Sequence, residues 1–176
     1  QLCNQQDIPI LFLQNITGYM VGKDFEHSGI VKNGSKMINA VSNSTVPHIT
    51  VILGNSYGAG NYGMSGRAFN TRFTYLWPTA KIAIMGPKQI AGVMSLVRRG
   101  QAARKGLEFD EDADRKTTEQ VEYYHEQKSL ALYATGRVTD DGIIDPRDTR
   151  DIVAMSLSAC HNNAIEGAEG FGVFRM

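Results

Sequence analysis

The chain has 176 residues, with 18 basic and 18 acidic side chains and a formal net charge of zero, and 42% of its residues are hydrophobic. That is enough for one domain with a real core, and no apolar run approaches the ~20 residues of a membrane-spanning helix. Two cysteines, Cys3 and Cys160, are too few for a disulfide scaffold, and neither sits in a CxxC pair or beside clustered histidines, so no metal is expected. The opening Gln1-Leu2-Cys3-Asn4 has no initiator Met and no basic-then-apolar leader, which predicts a cut or processed start.

In chain order, Pro9–Leu13 reads as a short buried strand, followed by a loop over Asn15–Gly22. The apolar spacing of Ile30, Met37, Ile38 and Val41 predicts one helix over 26–44. Val46–Leu53 is a second buried, β-branched strand. It enters a glycine-rich turn over Gly54–Gly63, inside which a short helix starts. Phe73–Trp77 and Lys81–Met85 read as two more strands separated by Pro78, and Gly86-Pro87 opens a helix. A long amphipathic helix is expected over 114–135, with Val121, Tyr124, Leu130, Leu132 and Tyr133 on its apolar side and Gly136 as C-cap. Asp140-Asp141-Gly142 is a turn, Asp145-Pro146 an N-cap pair, and a last helix runs to about His161. The tail Gly170–Met176 is expected to be extended, its aromatics docking on a partner. The order of elements predicts an α/β layered domain.

The zero net charge conceals an asymmetry. Between Glu26 and Glu108 there is no acid, while ten basic residues give +10: Lys32, Lys36, Arg67, Arg72, Lys81, Lys88, Arg98, Arg99, Arg104 and Lys105. The alternatives are an anionic partner or solvated helix faces. Nucleic acid is not expected, because the basics are not clustered with exposed aromatics. His27, His48 and His125 read as structural or solvated.

The glycine-rich turn matches two motifs at once. Gly54-Asn55-Ser56-Tyr57-Gly58 fits GxSxG, the nucleophile elbow, with Asp145 and His161 in the right chain order for a serine hydrolase. Only two strands precede it, however, which is few for that fold. Gly58-Ala59-Gly60-Asn61-Tyr62-Gly63 fits GxGxxG, yet no acid follows at the ~20 residues a dinucleotide ribose requires. A third reading needs no side-chain nucleophile: glycines after a strand let backbone N–H groups converge on an oxyanion and a flat ligand approach the backbone.

Several segments carry a family resemblance: Phe12–Gly22, Ser56–Met64, Trp77-Pro78 followed by Met85-Gly86, Asp141–Arg150, and Phe171–Met176. In this order they resemble the carboxyltransferase (beta) subunits of biotin-dependent acyl-CoA carboxylases, most of all the 3-methylcrotonyl-CoA branch. The resemblance implies a crotonase-like (ClpP/crotonase) fold of repeated ββα units. Residues 1–176 would be the C-terminal carboxyltransferase domain, truncated at its N-terminal side, ending at the natural terminus and inactive alone. It implies carboxyl transfer from carboxybiotin to an acyl-CoA, a coenzyme A thioester. The biotin would be carried by a partner biotin carboxylase/biotin carrier subunit, and the active sites would lie between subunits of a homo-oligomer. It further implies a backbone oxyanion hole at Ala59 and Gly60, biotin contacts from Thr17, Gly18, Tyr19, Gly22, Gly58 and Asn61, and acyl selectivity at Tyr62. Tyr62 speaks against the propionyl-CoA branch, and the acidic segment 108–126 departs from the methylcrotonyl pattern, so geranyl-CoA or another acyl-CoA stays open. The implied location is a bacterial cytoplasm or a mitochondrial matrix. A non-catalytic assembly module is the rival without chemistry.

Overall fold

The sequence folds, in a computed structural model that describes residues 1–172, into a parallel sheet flanked by helices on both faces. Most of the expected extended tail, residues 173–176, lies outside the described residues. The elements run α1 (Leu2–Gln5), β1 (Ile10–Ile16), α2 (Lys23–His27), α3 (Ile30–Asn43), β2 (His48–Tyr57) and α4 (Ala59–Gly63). They continue as β3 (Phe73–Leu76), β4 (Lys81–Ala83), α5 (Pro87–Lys105), α6 (Glu111–Ser129), α7 (Ala131–Thr135), β5 (Gly142–Ile143) and α8 (Thr149–Cys160).

The central strand is β2, and every strand pairing is parallel. On one side β1 runs alongside, Ile10 opposite His48 and Gln14 opposite Ile52. On the other side β2 serves two neighbours: Ile49–Ile52 pair with β3, and Asn55–Tyr57 pair with β4. β5 extends the sheet beyond β3. Parallel sheets require cover on both faces, and the period of two supplies it. Ile52 packs with Leu76, Ala80, Ala131 and Ala134 under α7, while its neighbour Val51 packs with Ile144 and Val153 under α8. Burying one such side chain fully stabilises by about 1.5–3 kcal/mol.

The register between β1 and β2 slips where Gln14 faces Ile52 but Ile16 faces Ser56. Asn15 fills the gap: its Oδ1 accepts from Asn55 N at 3.1 Å, and a Cβ on Gly54 would stand 2.6 Å from that oxygen. Such irregularities bend a strand. Here the bend separates the half of β2 that pairs with β3 from the half that pairs with β4.

Five expectations change. β2 does not end at Leu53 but runs to Tyr57, because β4 gives its last residues a hydrogen-bonding partner. The expected helix over 26–44 is two helices, broken at Gly29 with φ 86°. The expected helix over 114–135 starts at Glu111, where Asp110 accepts from Ala113 N at 2.9 Å, and it breaks at extended Leu130, which bridges to Lys81. Gly136 is right-handed, and the left-handed turn falls instead on Val138. Tyr124 and Leu132, assigned to the apolar side, are exposed. The Gly86-Pro87 helix start and the Asp145 cap form as expected, Asp145 Oδ1 accepting from Arg147 N at 2.8 Å ahead of a single 3-10 turn.

Candidate functional site

The site begins where β2 stops. Tyr57 is the last strand residue, Gly58 turns the chain with φ 55° and ψ −140°, and α4 follows at once. A Cβ on Gly58 would stand 3.0 Å from the carbonyl oxygen of Ile84, so the turn is built on glycine. Gly58 N donates to Ala83 O at 3.0 Å, and Asn61 N donates to Gly58 O at 3.1 Å. Between them, the amides of Ala59 and Gly60 have no hydrogen-bond acceptor among the described residues. The first amides of a helix are orphaned in this way. Ala59 is exposed and lines a cleft, whereas Gly60 is buried.

The facing wall is the loop from Thr17 to Gly22, and the fold does bring it against the turn. A Cβ on Gly60 would stand 3.0 Å from Ile16 Cγ1 and 3.1 Å from Gly18 Cα. The α-carbon of Gly60 is therefore pressed against β1 and its loop, leaving its N–H as the polar group that this residue can offer. Thr17 is exposed, and Gly22 caps α2. Tyr19 wedges between α3 and α4: a Cβ on Gly34 would lie 2.7 Å from its ring, and one on Gly63 2.8 Å from its hydroxyl. Burial raises its phenol pKa. Tyr62 is exposed and tilts against Phe69 at 5.6 Å. The cleft, about 330 Å³, is lined by Tyr19, Met20, Val21, Ile30, Ile38 and Ala59, with Glu26 on its edge. The residues from α2 and α3 were not foreseen as site residues, because their apolar spacing is that of an ordinary core face.

The GxSxG match is not an elbow. Ser56 lies inside β2, fully buried, with Ile16 on one side and Ile82 on the other. Its Oγ donates to Gln14 Oε1 at 2.6 Å and accepts from Asn61 Nδ2 at 2.8 Å. Asp145 pairs with Arg147 at 2.7 Å, and the His161 ring faces the Leu157 carbonyl at 2.8 Å. Among the described residues Ser56 has no base beside it, so the serine hydrolase alternative is withdrawn. The GxGxxG match is taken up by the helix itself, its first glycine the N-cap of the five-residue α4 and its other residues the whole of that helix. Asn61 places its side-chain amide on Ser56 rather than in the cleft.

The basic stretch finds its acids within the fold. Arg67 meets Asp141 at 2.9 Å, Arg98 meets Asp114 at 2.6 Å, Arg99 meets Glu111 at 2.6 Å, and Lys81 meets Glu126. Hydrogen bonding to Glu126 raises the Lys81 pKa. Four of the ten cations thus serve the structure, so the +10 count overstates what an anion would meet. Among the described residues no group of three His, Cys, Asp or Glu could hold a metal ion.

With the turn, its two open amides and the facing loop in place, the comparison with known proteins is decisive. Residues 1–173 match the carboxyl transferase domain. The chain belongs to that family. This carboxyl transferase domain is 56% identical, over its whole length, to the probable biotin-dependent acyl-coenzyme A carboxylase beta2 subunit of Mycobacterium tuberculosis, covering 33% of that protein. It is 51% identical to the probable mitochondrial methylcrotonoyl-CoA carboxylase beta chain of Drosophila melanogaster, covering 100% of this chain and 30% of that one. The crystal structure of the P. aeruginosa geranyl-CoA carboxylase beta subunit superposes with a TM-score of 0.86 at 38% identity, over 99% of this chain and 32% of that one. The chain therefore spans about a third of the length of the relatives it matches. Its α/β fold is the crotonase-like arrangement of carboxyltransferase subunits, present here in part.

Proposed function

We propose that the protein containing this chain is the carboxyltransferase component of a biotin-dependent acyl-CoA carboxylase. The chain itself is read as the biotin-side half-site, within a C-terminal carboxyltransferase domain that lacks its N-terminal side. The observation that carries this reading is the pair of amides at Ala59 and Gly60 that have no acceptor among the described residues, held beside the Thr17–Gly22 loop. When bound, carboxybiotin would supply both the carboxyl group and, once its N–C bond breaks with the electron pair kept on the ureido group, the base. Ala59 N–H and Gly60 N–H would donate to the oxygen where that charge collects; one such donor contributes about 100- to 1,000-fold in rate. Gly58 keeps side-chain atoms out of the turn, and Gly18 closes the approach from β1. Once a ligand covers the apolar side chains of the cleft, the lowered local polarity would strengthen such hydrogen bonds. No side-chain base of this chain is required.

The biotin belongs to a partner biotin carboxylase/biotin carrier subunit, and the coenzyme A thioester to the half of the site outside this chain, in a homo-oligomer with active sites between subunits. Relatives named for methylcrotonoyl-CoA and geranyl-CoA favour a branched, unsaturated acyl group over propionyl-CoA. Tyr62, exposed and tilted against Phe69, is the residue we read as selecting that group. The compartment is a bacterial cytoplasm or a mitochondrial matrix.

The test is transfer in reverse with the full-length protein, carboxylated acyl-CoAs of several chain types and free biocytin as acceptor. Biocytin-dependent release of acyl-CoA is expected, fastest with a branched unsaturated chain. Absence of release from folded protein would favour the assembly module.

A further inference from the structure

We propose that Gln14, Ser56 and Asn61 are positioning residues for the Ala59–Gly60 amide pair, an inference that rests on the carboxyltransferase reading above. Helix α4 has five residues, well short of the ~12–15 an isolated helix needs to hold itself. Something else must fix the direction of its first two N–H groups. Three hydrogen bonds do so. Asn61 Nδ2 donates to Ser56 Oγ at 2.8 Å, Ser56 Oγ donates to Gln14 Oε1 at 2.6 Å, and Gln14 Nε2 donates to Met64 O at 2.5 Å.

The path closes on itself: β2 holds the middle of α4, β1 holds β2, and β1 also holds the residue that ends α4. Ser56 and Gln14 are completely buried. In such surroundings polar bonds are strong and directional, and an unpaired group is costly. The amide pair lies between the two anchors, with Ser56 three residues before Ala59 and Asn61 one residue after Gly60. Packing blocks the remaining freedom. The α-carbon of Gly60 abuts Ile16 and Gly18, and that of Gly66 abuts the Asn61 amide, where a Cβ would stand 1.7 Å from Oδ1. A fully buried glutamine within β1 and a fully buried serine near the end of β2 are expensive choices for a fold alone, since apolar residues of similar size would need no partners. Their geometry serves the turn.

The test uses the full-length protein with Asn61→Ala, Ser56→Ala and the double variant. Three readouts are taken: calorimetric titration with biocytin, reverse carboxyl transfer, and hydrogen exchange of residues 57–64 without ligand. Asn61→Ala should weaken biocytin binding about tenfold, as loss of one hydrogen bond's worth of orientation would. It should lower kcat about 100-fold, the effect expected of a ~1 Å misplacement. The KM for the carboxylated acyl-CoA should stay within roughly twofold, because that substrate is held elsewhere. Exchange should rise in 57–64 and not in α8. The double variant should be no worse than Ser56→Ala, since both singles cut one shared bond. Asn61→Ala is at a partly exposed position, so it keeps the test open if Ser56→Ala does not fold. Wild-type transfer together with unchanged biocytin affinity and kcat in folded Asn61→Ala would overturn the assignment. Absence of biocytin-dependent transfer in the wild type would overturn the carboxyltransferase reading and this proposal with it.

Discussion

A Cβ on Gly58 would stand 3.0 Å from the carbonyl oxygen of Ile84, and its φ of 55° with ψ of −140° is a conformation in which an L side chain is strained. Gly58→Ala is therefore expected to cost about 1–3 kcal/mol in denaturant unfolding of the full-length protein and to weaken biocytin binding, because relief of the strain moves Ala59. An unchanged unfolding midpoint would show that the turn tolerates a side chain. Val138 presents the opposite case. It is exposed, β-branched and left-handed at φ 59°, with no packing to justify the conformation. Val138→Asn should add about 1 kcal/mol, because asparagine accepts that conformation more readily; a loss of stability would reveal a contact that Val138 makes in the assembled protein. His48 gives a pH signature. It opens β2, buried, with Nδ1 2.8 Å from Ser65 Oγ and Nε2 2.8 Å from Ser44 Oγ. Burial lowers its pKa below the ordinary 6.5. The unfolded chain then takes up the proton first as pH falls. Stability is complete above about pH 6.5 and declines from there down to the folded pKa. A thermal-unfolding series from pH 8 to about pH 5 should show that decline, blunted in His48→Asn.

Helices α5 and α6 lie against each other through charge rather than through a shared apolar seam. Ser95 Oγ donates to Asp114 Oδ2 at 2.5 Å, and Arg98 Nε donates to Asp114 Oδ1 at 2.6 Å. Arg98 Nη2 also reaches Thr118 at 2.9 Å, while Arg99 lies over the Phe109 ring at 4.6 Å and clasps Glu111. The Ser95 hydrogen bond, followed by Arg98, holds the Asp114 carboxyl below its ordinary 3.8. Its contribution is present at neutral pH and is lost as pH falls through that depressed value. Asp114→Ala should lower the unfolding temperature and speed hydrogen exchange across residues 87–129, while β2 stays protected; uniform loss of protection would mean that the two helices and the sheet unfold as one unit. The sequence made the start of α5 plain, because proline in a first turn is a local rule. It did not show this clasp, since Arg98 and Asp114 meet across a turn that no spacing rule describes. The same limit explains β2. Its β-branched half was readable, but its extension to Tyr57 depends on β4 and on Asn15 filling the space at Gly54, both contacts between distant segments. Leu130 breaks the long helix for a similar reason, drawn into a bridge with Lys81.

The candidate turn was legible because glycines at strand ends report on themselves, whereas the role of Ser56 was not. A GxSxG string is the same in an elbow and in a strand, and only burial and the Gln14 partner tell them apart. The +10 stretch left its meaning open for a related reason, because its acids arrive later in the chain and fold back onto it. What the fold leaves open points outward. Val21 is 88% exposed on one lip of the cleft, and Ile84 is 93% exposed beside Gly58, with Met20 and Met85 next to them. Large apolar side chains gathered around a binding mouth are rare on a protein that works as a free monomer. The relatives are three times longer than this chain, so the rest of such a protein, or a second copy, is the expected cover. The isolated chain should then bind a hydrophobic dye and sediment as more than a monomer. Val21→Lys with Ile84→Lys should abolish both, and in the full-length protein the same pair should break the assembly and stop carboxyl transfer even though neither side chain donates a hydrogen bond to a ligand. If the isolated chain instead sediments as a monomer without dye binding, the two lips are a solvated entrance.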